Sequence, residues 1–148
     1  MQKDYIMITL ADDDEDDRLF FTDAFDELKI NTVVNTFKNG KELLDFLNHP
    51  ESVLPNIIFL DLNMPILNGV DCLKEMKKND KLNDIAIAIY STSSSDQDIE
   101  NTFVLGANIY IKKPSDFGTL KKVLSDVVTI NWQYHTSGLN KDNFLLRL

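Results

Sequence analysis

The residues whose types and spacing point to chemistry are mostly carboxylates. Six acids are consecutive: Asp12, Asp13, Asp14, Glu15, Asp16 and Asp17. Asp61 directly follows the apolar run Ile57-Ile58-Phe59-Leu60 and precedes Met64-Pro65 by three residues. A hydroxyl, Ser91, ends another apolar run, and an ammonium group, Lys113, stands before Pro114. Two like charges ~4 Å apart repel by about 1 kcal/mol in water and about 4 kcal/mol at an effective dielectric of 20. Clustered carboxylates therefore raise their own pKa values unless a cation joins them. Lys113 supplies one positive charge, and a divalent ion is the natural second. Hard oxygen ligands with open water positions suit Mg²⁺. The turn after the first strand has no glycines, so it is not a dinucleotide or P-loop cradle. A phosphoryl group would bind there only beside the metal and the lysine.

Two periodicities determine what must position these groups. The runs Tyr5–Leu10, Thr32–Phe37, Asn56–Leu60, Ile85–Ser91 and Asn108–Lys112 read as buried strands. Between them lie helical spacings: Phe21, Ala24, Phe25 and Leu28; Leu43, Phe46 and Leu47; Val70, Leu73 and Met76; Ile99 and Phe103; then Phe117, Leu120, Leu124 and Val127. Gly40, Gly69, Gly106 and Pro114 fall at junctions. Strand–helix alternation predicts an α/β, doubly wound, five-stranded parallel sheet. Ligands of such sheets bind at the carboxyl ends of the strands. Those ends are Asp12-Asp13-Asp14, Asp61, Ser91-Thr92 and Lys112-Lys113, so one sheet edge gathers them all.

The chain's bulk properties narrow the function further. Its 148 residues suit one domain with a short tail. The single Cys72 rules out an internal disulfide framework and reads as a small core residue. A net charge of −9 argues against nonspecific nucleic-acid binding. Neither a membrane span nor a signal peptide is visible, which predicts a cytoplasmic protein. The charge is uneven: residues 1–108 hold 9 Lys and Arg against 21 Asp and Glu, residues 109–148 hold 6 against 3. Glu15, Asp16 and Asp17 read as helix-start acids that add field but no ligands. Asp14 reads as solvent-facing, and His49 and His135 as surface residues.

In order, the acid pair Asp12 and Asp13, the strand-three Asp61 followed by Leu62-Asn63-Met64-Pro65, Asn68-Gly69, Ser91 and Lys113-Pro114 form a specific pattern. From about Lys3 to Val128 the chain resembles the receiver domain of two-component response regulators. The resemblance implies a flavodoxin-like sheet order 2-1-3-4-5. It implies that Asp61 is the phospho-acceptor, attacking a phosphohistidine of a sensor histidine kinase or histidine phosphotransfer protein. Asp13 and Asp61 would bind Mg²⁺ directly, with the Asn63 backbone carbonyl as a third ligand and Asp12 acting largely through water. Lys113 and Ser91 would contact phosphoryl oxygens; Ser91 is preferred to Thr92, and Lys113 to Lys112. Tyr110 would be the aromatic switch residue that turns inward on phosphorylation.

The resemblance further implies a stand-alone switch rather than an enzyme, with at most weak self-phosphorylation and self-dephosphorylation. Residues 1–128 would be the receiver, and residues 129–148 an extension without a separate output domain. Docking to a target, or a homodimer, would use the fourth helix, fifth strand and fifth helix, including Ile99, Phe103, Tyr110, Lys121 and Lys122, or the tail. In the tail, Trp132 and Phe144-Leu145-Leu146 are expected to pack back on the chain or to extend an interface. Tail-extended receivers of this kind accompany bacterial sensor kinases. A Mg²⁺-dependent phosphohydrolase is the competing enzyme reading, but position 63 holds Asn where those enzymes usually carry a second carboxylate. A phosphorylation-independent scaffold is the third reading. An EF-hand over Asp12–Asp23 fails, because Asp17 takes the glycine position and the terminal bidentate Glu is absent.

Overall fold

The structure is a computed structural model and describes residues 5–133 and 145–146, the segments 130–133 and 145–146 as backbone. The elements run β1 (Ile6–Ala11), α1 (Glu15–Glu27), β2 (Thr32–Phe37), α2 (Gly40–Asn48), β3 (Ile57–Leu60), α3 (Gly69–Lys78), β4 (Ala86–Ser91), α4 (Asp96–Val104), β5 (Ile109–Lys112), α5 (Phe117–Gln133) and β6 (Leu145–Leu146). The first five strands are parallel in the order β2-β1-β3-β4-β5, as expected. The sheet does not stop at five. Leu145 and Leu146 pair in parallel with Tyr110 and Ile111, placing β6 on the outer edge of β5. The tail thus does return to the chain at this point, as a strand. Helix α5 runs past Val128 to Gln133 and takes in Trp132; Phe144 and His135 lie outside the described residues.

Side-chain alternation along β3 explains the layering. Ile58 and Leu60 join Leu43, Leu73 and Met76 in one core, beneath α2 and α3. Ile57 and Phe59 join Phe21, Phe25, Leu120 and Leu124 in the other, beneath α1 and α5. All four β3 residues are essentially inaccessible. A strand buried on both faces must be apolar at every position, and each such side chain contributes about 1.5–3 kcal/mol. Cys72 belongs to the first core, and burial pushes its thiol up to about 12, so it is not a reactive group.

Helix starts are set by one repeated device. Asp14, Asn39, Asn68 and Ser95 each accept a hydrogen bond from the backbone N–H three residues on, at 3.1, 2.8, 2.9 and 3.1 Å. Each satisfies a donor that the helix leaves open, worth about 1 kcal/mol. Each also fixes where a strand–helix loop ends, and the loops ended by Asp14, Asn68 and Ser95 adjoin the site.

The β3–α3 loop is tightly constrained. Gly69 packs where a Cβ would sit inside van der Waals contact with the Asp61 carbonyl oxygen and 2.8 Å from the Leu62 Cα. Its N–H donates to the Leu62 carbonyl at 3.0 Å. Ile66 has φ +69° and is 74% exposed, and the Leu67 N–H reaches back to the Pro65 carbonyl at 2.7 Å. That i→i+2 bond about a positive φ marks a γ-turn of the strained kind. A β-branched residue in the left-handed region is unfavourable by about 1–2 kcal/mol.

Two outcomes follow for urea unfolding. Gly69→Ala lowers stability by about 1–3 kcal/mol, because its neighbours are backbone atoms that cannot swing aside. Ile66→Asn raises stability by about 1 kcal/mol, since Asn tolerates positive φ and the isoleucine side chain packs little.

Candidate functional site

Four strand ends deliver the site. Asp12 follows β1, Asp61 follows β3, Ser91 ends β4 and Lys113 follows β5. Asp12 is fully buried, Asp61 is 5% exposed, and Asp13 is exposed. Lys113 stands between the acids. Its Nζ lies 2.8 Å from Asp12 Oδ2, 2.8 Å from Asp17 Oδ2 and 3.2 Å from Asp61 Oδ2. The contacts with Asp17 and Asp61 are hydrogen bonds. The contact with Asp12 is an ion pair without hydrogen-bond geometry, and among the described residues Asp12 Oδ2 is the buried side-chain atom left without a hydrogen bond. Neighbouring Lys112 is exposed.

The remaining carboxylate oxygens are held by the backbone. Asp12 Oδ1 accepts the Asp14 N–H at 3.0 Å, and Asp61 Oδ1 accepts the Asn63 N–H at 3.3 Å. Arg18, whose role spacing did not reveal, donates from Nη1 to the Asp12 carbonyl at 2.8 Å and ties α1 to the end of β1. Beneath the acids lies an aromatic cluster. Phe21 meets Phe59 edge-on at 5.0 Å and Tyr90 at 5.8 Å, and Lys113 Nζ lies 5.4 Å from the Tyr90 ring centre. This apolar floor removes water from below the site.

The charges respond to that burial. Desolvation raises Asp12 from 3.8 to about 6, against the opposing pull of Lys113 and the Asp14 N–H; the Asp61 charge adds a smaller upward push. For Lys113 desolvation works against the charge, but contacts with Asp12 and Asp17 and the charges of Asp12 and Asp61 outweigh it, so its pKa rises above 10.5. The lysine stays charged, while Asp12 remains in need of a cation.

The residues fit one. Asp12, Asp13 and Asp61 each offer a carboxylate oxygen, all within 4.8 Å of one another. Octahedral Mg²⁺ with oxygens at ~2.1 Å spans a similar distance between opposite ligands. Asp12 Oδ2, buried and met by Lys113 only as an ion pair without a hydrogen bond, is the kind of atom that cation binding would satisfy further.

On the fourth strand end, Ser91 is buried and Thr92 exposed. Ser91 Oγ accepts the Ser93 N–H at 3.1 Å, Ser93 Oγ donates to Asp98 Oδ2 at 2.6 Å, and Tyr110 Oη donates to the Ser93 carbonyl at 2.9 Å. Tyr110 is already inward, at 1% exposure. Burial raises its pKa against its hydrogen bonds to Ser93 and Ser91. The hydroxyl run Ser91–Ser95 is therefore an ordered strap from the site to α4, not a loose polar loop.

Residues 8–125 match the response regulator receiver domain. The chain belongs to the response regulator receiver family. Among receiver relatives, the "Probable methanogenesis regulatory protein FilR2" of Methanothrix harundinacea is 28% identical, over 84% of this chain and 83% of that protein. The response regulator Rcp1 of Synechocystis is 26% identical over 82% of this chain and 85% of its own length; its Mn²⁺-bound crystal structure superposes with a TM-score of 0.75 at 25% identity, over 91% of this chain and 99% of that one. The phosphorylated cyanobacterial phytochrome response regulator RcpA gives a TM-score of 0.78 at 26% identity, over 91% of this chain and 98% of that one.

One expectation about this receiver needs correction: Asp17 is more than a helix-start acid, because its carboxylate is hydrogen-bonded to Lys113. On the α4–β5–α5 face, Ile99 and Tyr110 are buried, β6 lies along β5, and Lys121 and Lys122 pair with Glu27 and Asp126. As expected, Asp14 and His49 are exposed, Asp14 capping α1.

The raised Asp12 value gives a pH prediction. The native state binds this proton more tightly than the unfolded chain, so the contribution of Asp12 to stability falls as pH rises from about 4 to about 6. Without metal, Asp12→Asn is therefore more stable than wild type by about 1–3 kcal/mol above pH 6, and the gap closes towards pH 4. Mg²⁺ raises the wild-type unfolding midpoint above pH 6 and raises that of Asp12→Asn far less. Urea titrations across this range read both effects.

Proposed function

We propose that this receiver is a phosphorylation switch with Asp61 as the acceptor. A carboxylate oxygen of Asp61 attacks the phosphorus of a phosphohistidine on a sensor histidine kinase or phosphotransfer protein. The P–N bond breaks, the imidazole leaves with the electron pair and takes up a proton, and Asp61 becomes an acyl phosphate. Mg²⁺, held by Asp12, Asp13, Asp61 and the Asn63 carbonyl, would neutralise phosphoryl oxygens and favour in-line transfer.

The observation that carries this reading is the placement of Asp61. It ends the most buried strand, is itself buried, and is held by Lys113 beside the two other acids. A nucleophile in such a place is fixed in orientation, and its counter-charge is already present for the arriving phosphoryl oxygens. Lys113 pairs with one of those oxygens and Ser91 Oγ with another. Drawing on Ser91 pulls the strap through Ser93, and Tyr110 and α4 register the pull through their bonds to Ser93. With Tyr110 inward beforehand, the output is a shift of this strap and of the α4–β5–α5 surface, which a target or a second copy reads.

Asn63, two residues after the acceptor, offers no carboxylate for acid–base turnover of phosphate monoesters, which favours a switch over a phosphohydrolase. We read residues 1–128 as the receiver and 129–148 as an extension, in a cytoplasmic protein that uses neither nucleic acid nor membrane as a partner. No helix among the described residues is long and apolar enough to cross a membrane.

Incubation with Mg²⁺ and phosphoramidate tests this. Wild type acquires one acid-stable, base-labile phosphoryl group per chain. Asp61→Asn acquires none, and Lys113→Ala is labelled at least tenfold more slowly, the loss expected for a charge-assisted contact to the transferring group. Equal labelling of Asp61→Asn would remove the reading, and steady release of phosphate over many turnovers would favour an enzyme.

A further inference from the structure

The ammonium of Lys113 has three N–H donors, and three carboxylates stand around it. Two of those donors are hydrogen-bonded, to Asp17 and Asp61, so an arriving phosphoryl oxygen competes with the carboxylates for the ammonium. The three are not equally able to give way. The Asp12 side chain is fully buried and has no path out into solvent. Asp61 is the acceptor itself and stays in place. The Asp17 side chain is 37% exposed, in the first turn of α1, where water and the helix N-terminus stabilise its charge after it lets go. While it is in place it is the closer hydrogen-bonded competitor for the ammonium, at 2.8 Å against 3.2 Å for Asp61.

We propose that Asp17 is a positioning residue that occupies Lys113 in the resting receiver and hands it over to the phosphoryl group. The inference rests on the acceptor reading above and adds a regulator to the same site. While bound, Asp17 holds the lysine over the acids and keeps it from pairing fully with Asp61. On phosphoryl arrival it is displaced into solvent. No bond is made or broken at Asp17; one charged contact is exchanged for another. The acid thereby sets a threshold: it competes with the phosphoryl oxygen for Lys113, and its negative charge opposes the approaching dianion.

The test compares initial labelling rates at subsaturating Mg²⁺ and phosphoramidate for wild type, Asp17→Asn, Asp17→Glu and Asp16→Asn. Asp16 is the exposed neighbour in the same helical turn, so Asp16→Asn removes the same charge at that turn. Asp17→Asn is labelled about threefold or more faster than wild type, the scale of a partly exposed ion pair. It also binds beryllofluoride with Mg²⁺ more tightly by a similar factor. Asp17→Glu restores the wild-type rate, and Asp16→Asn stays within about 1.5-fold of wild type. The handover is overturned if Asp17→Asn is labelled no faster than wild type, or if Asp16→Asn accelerates equally, which would make the effect a general field. If wild type itself takes no label at Asp61, the acceptor reading fails and the handover with it.

Discussion

A single ammonium group makes the rest of this molecule possible. Asp12, Asp17 and Asp61 converge on Lys113 within 3.2 Å, above an aromatic floor that excludes water. Without the lysine, these acids would repel one another by several kcal/mol in a setting of low polarity. With it, the cluster holds together but is not balanced. Asp12 is still raised to about 6 by burial, and its Oδ2 has no hydrogen bond. The site is therefore stable enough to fold and unsatisfied enough to bind a cation. The same imbalance makes the lysine valuable to any further anion that arrives.

The fold exists to hold these groups at one edge. Parallel strands bring all their carboxyl ends to the same side, and the two cores bury β3 so completely that its position is fixed from both faces. The cap residues Asp14, Asn39, Asn68 and Ser95 end the loops at defined points. Gly69 lets α3 begin against the Asp61 carbonyl. Precision at Asp61 is thus inherited from apolar packing below and from loop chemistry beside it, while the Ser91–Ser93 strap carries any displacement towards Tyr110 and α4.

Much of this was legible in the sequence, for physical reasons that also explain what was not. The central strands β1, β3 and β4 are legible because both faces are buried, and the half-buried edge strand β2 is legible to the residue from its β-branched run. Asp61 was visible because a charge at the end of four buried apolar residues has no packing reason to be there. Lys113 was separable from Lys112 through the following proline, and the structure exposes Lys112. The partnership of Asp17 with Lys113 was invisible, since 96 residues separate them and local spacing reports only the α1 cap. The γ-turn at Ile66 contradicts the preference of its residue type, so propensity could not find it. The β6 strand is two residues long and has no alternation to detect. Tyr110 gave a position in sequence, but only its hydrogen bond to Ser93 shows that the ring is already inside.

On the proposed reading, this acidic edge carries a phosphoryl group on one particular side chain, that of Asp61. Borohydride reduction followed by peptide mass spectrometry tests that most directly, because it converts an acyl phosphate, and not a free carboxylate, to an alcohol. After treatment with Mg²⁺ and a small phosphodonor, the account predicts reduction at position 61 and nowhere else in the chain. Reduction at Asp12, Asp13 or Asp17, or an unmodified Asp61 in a fully folded protein, would contradict it.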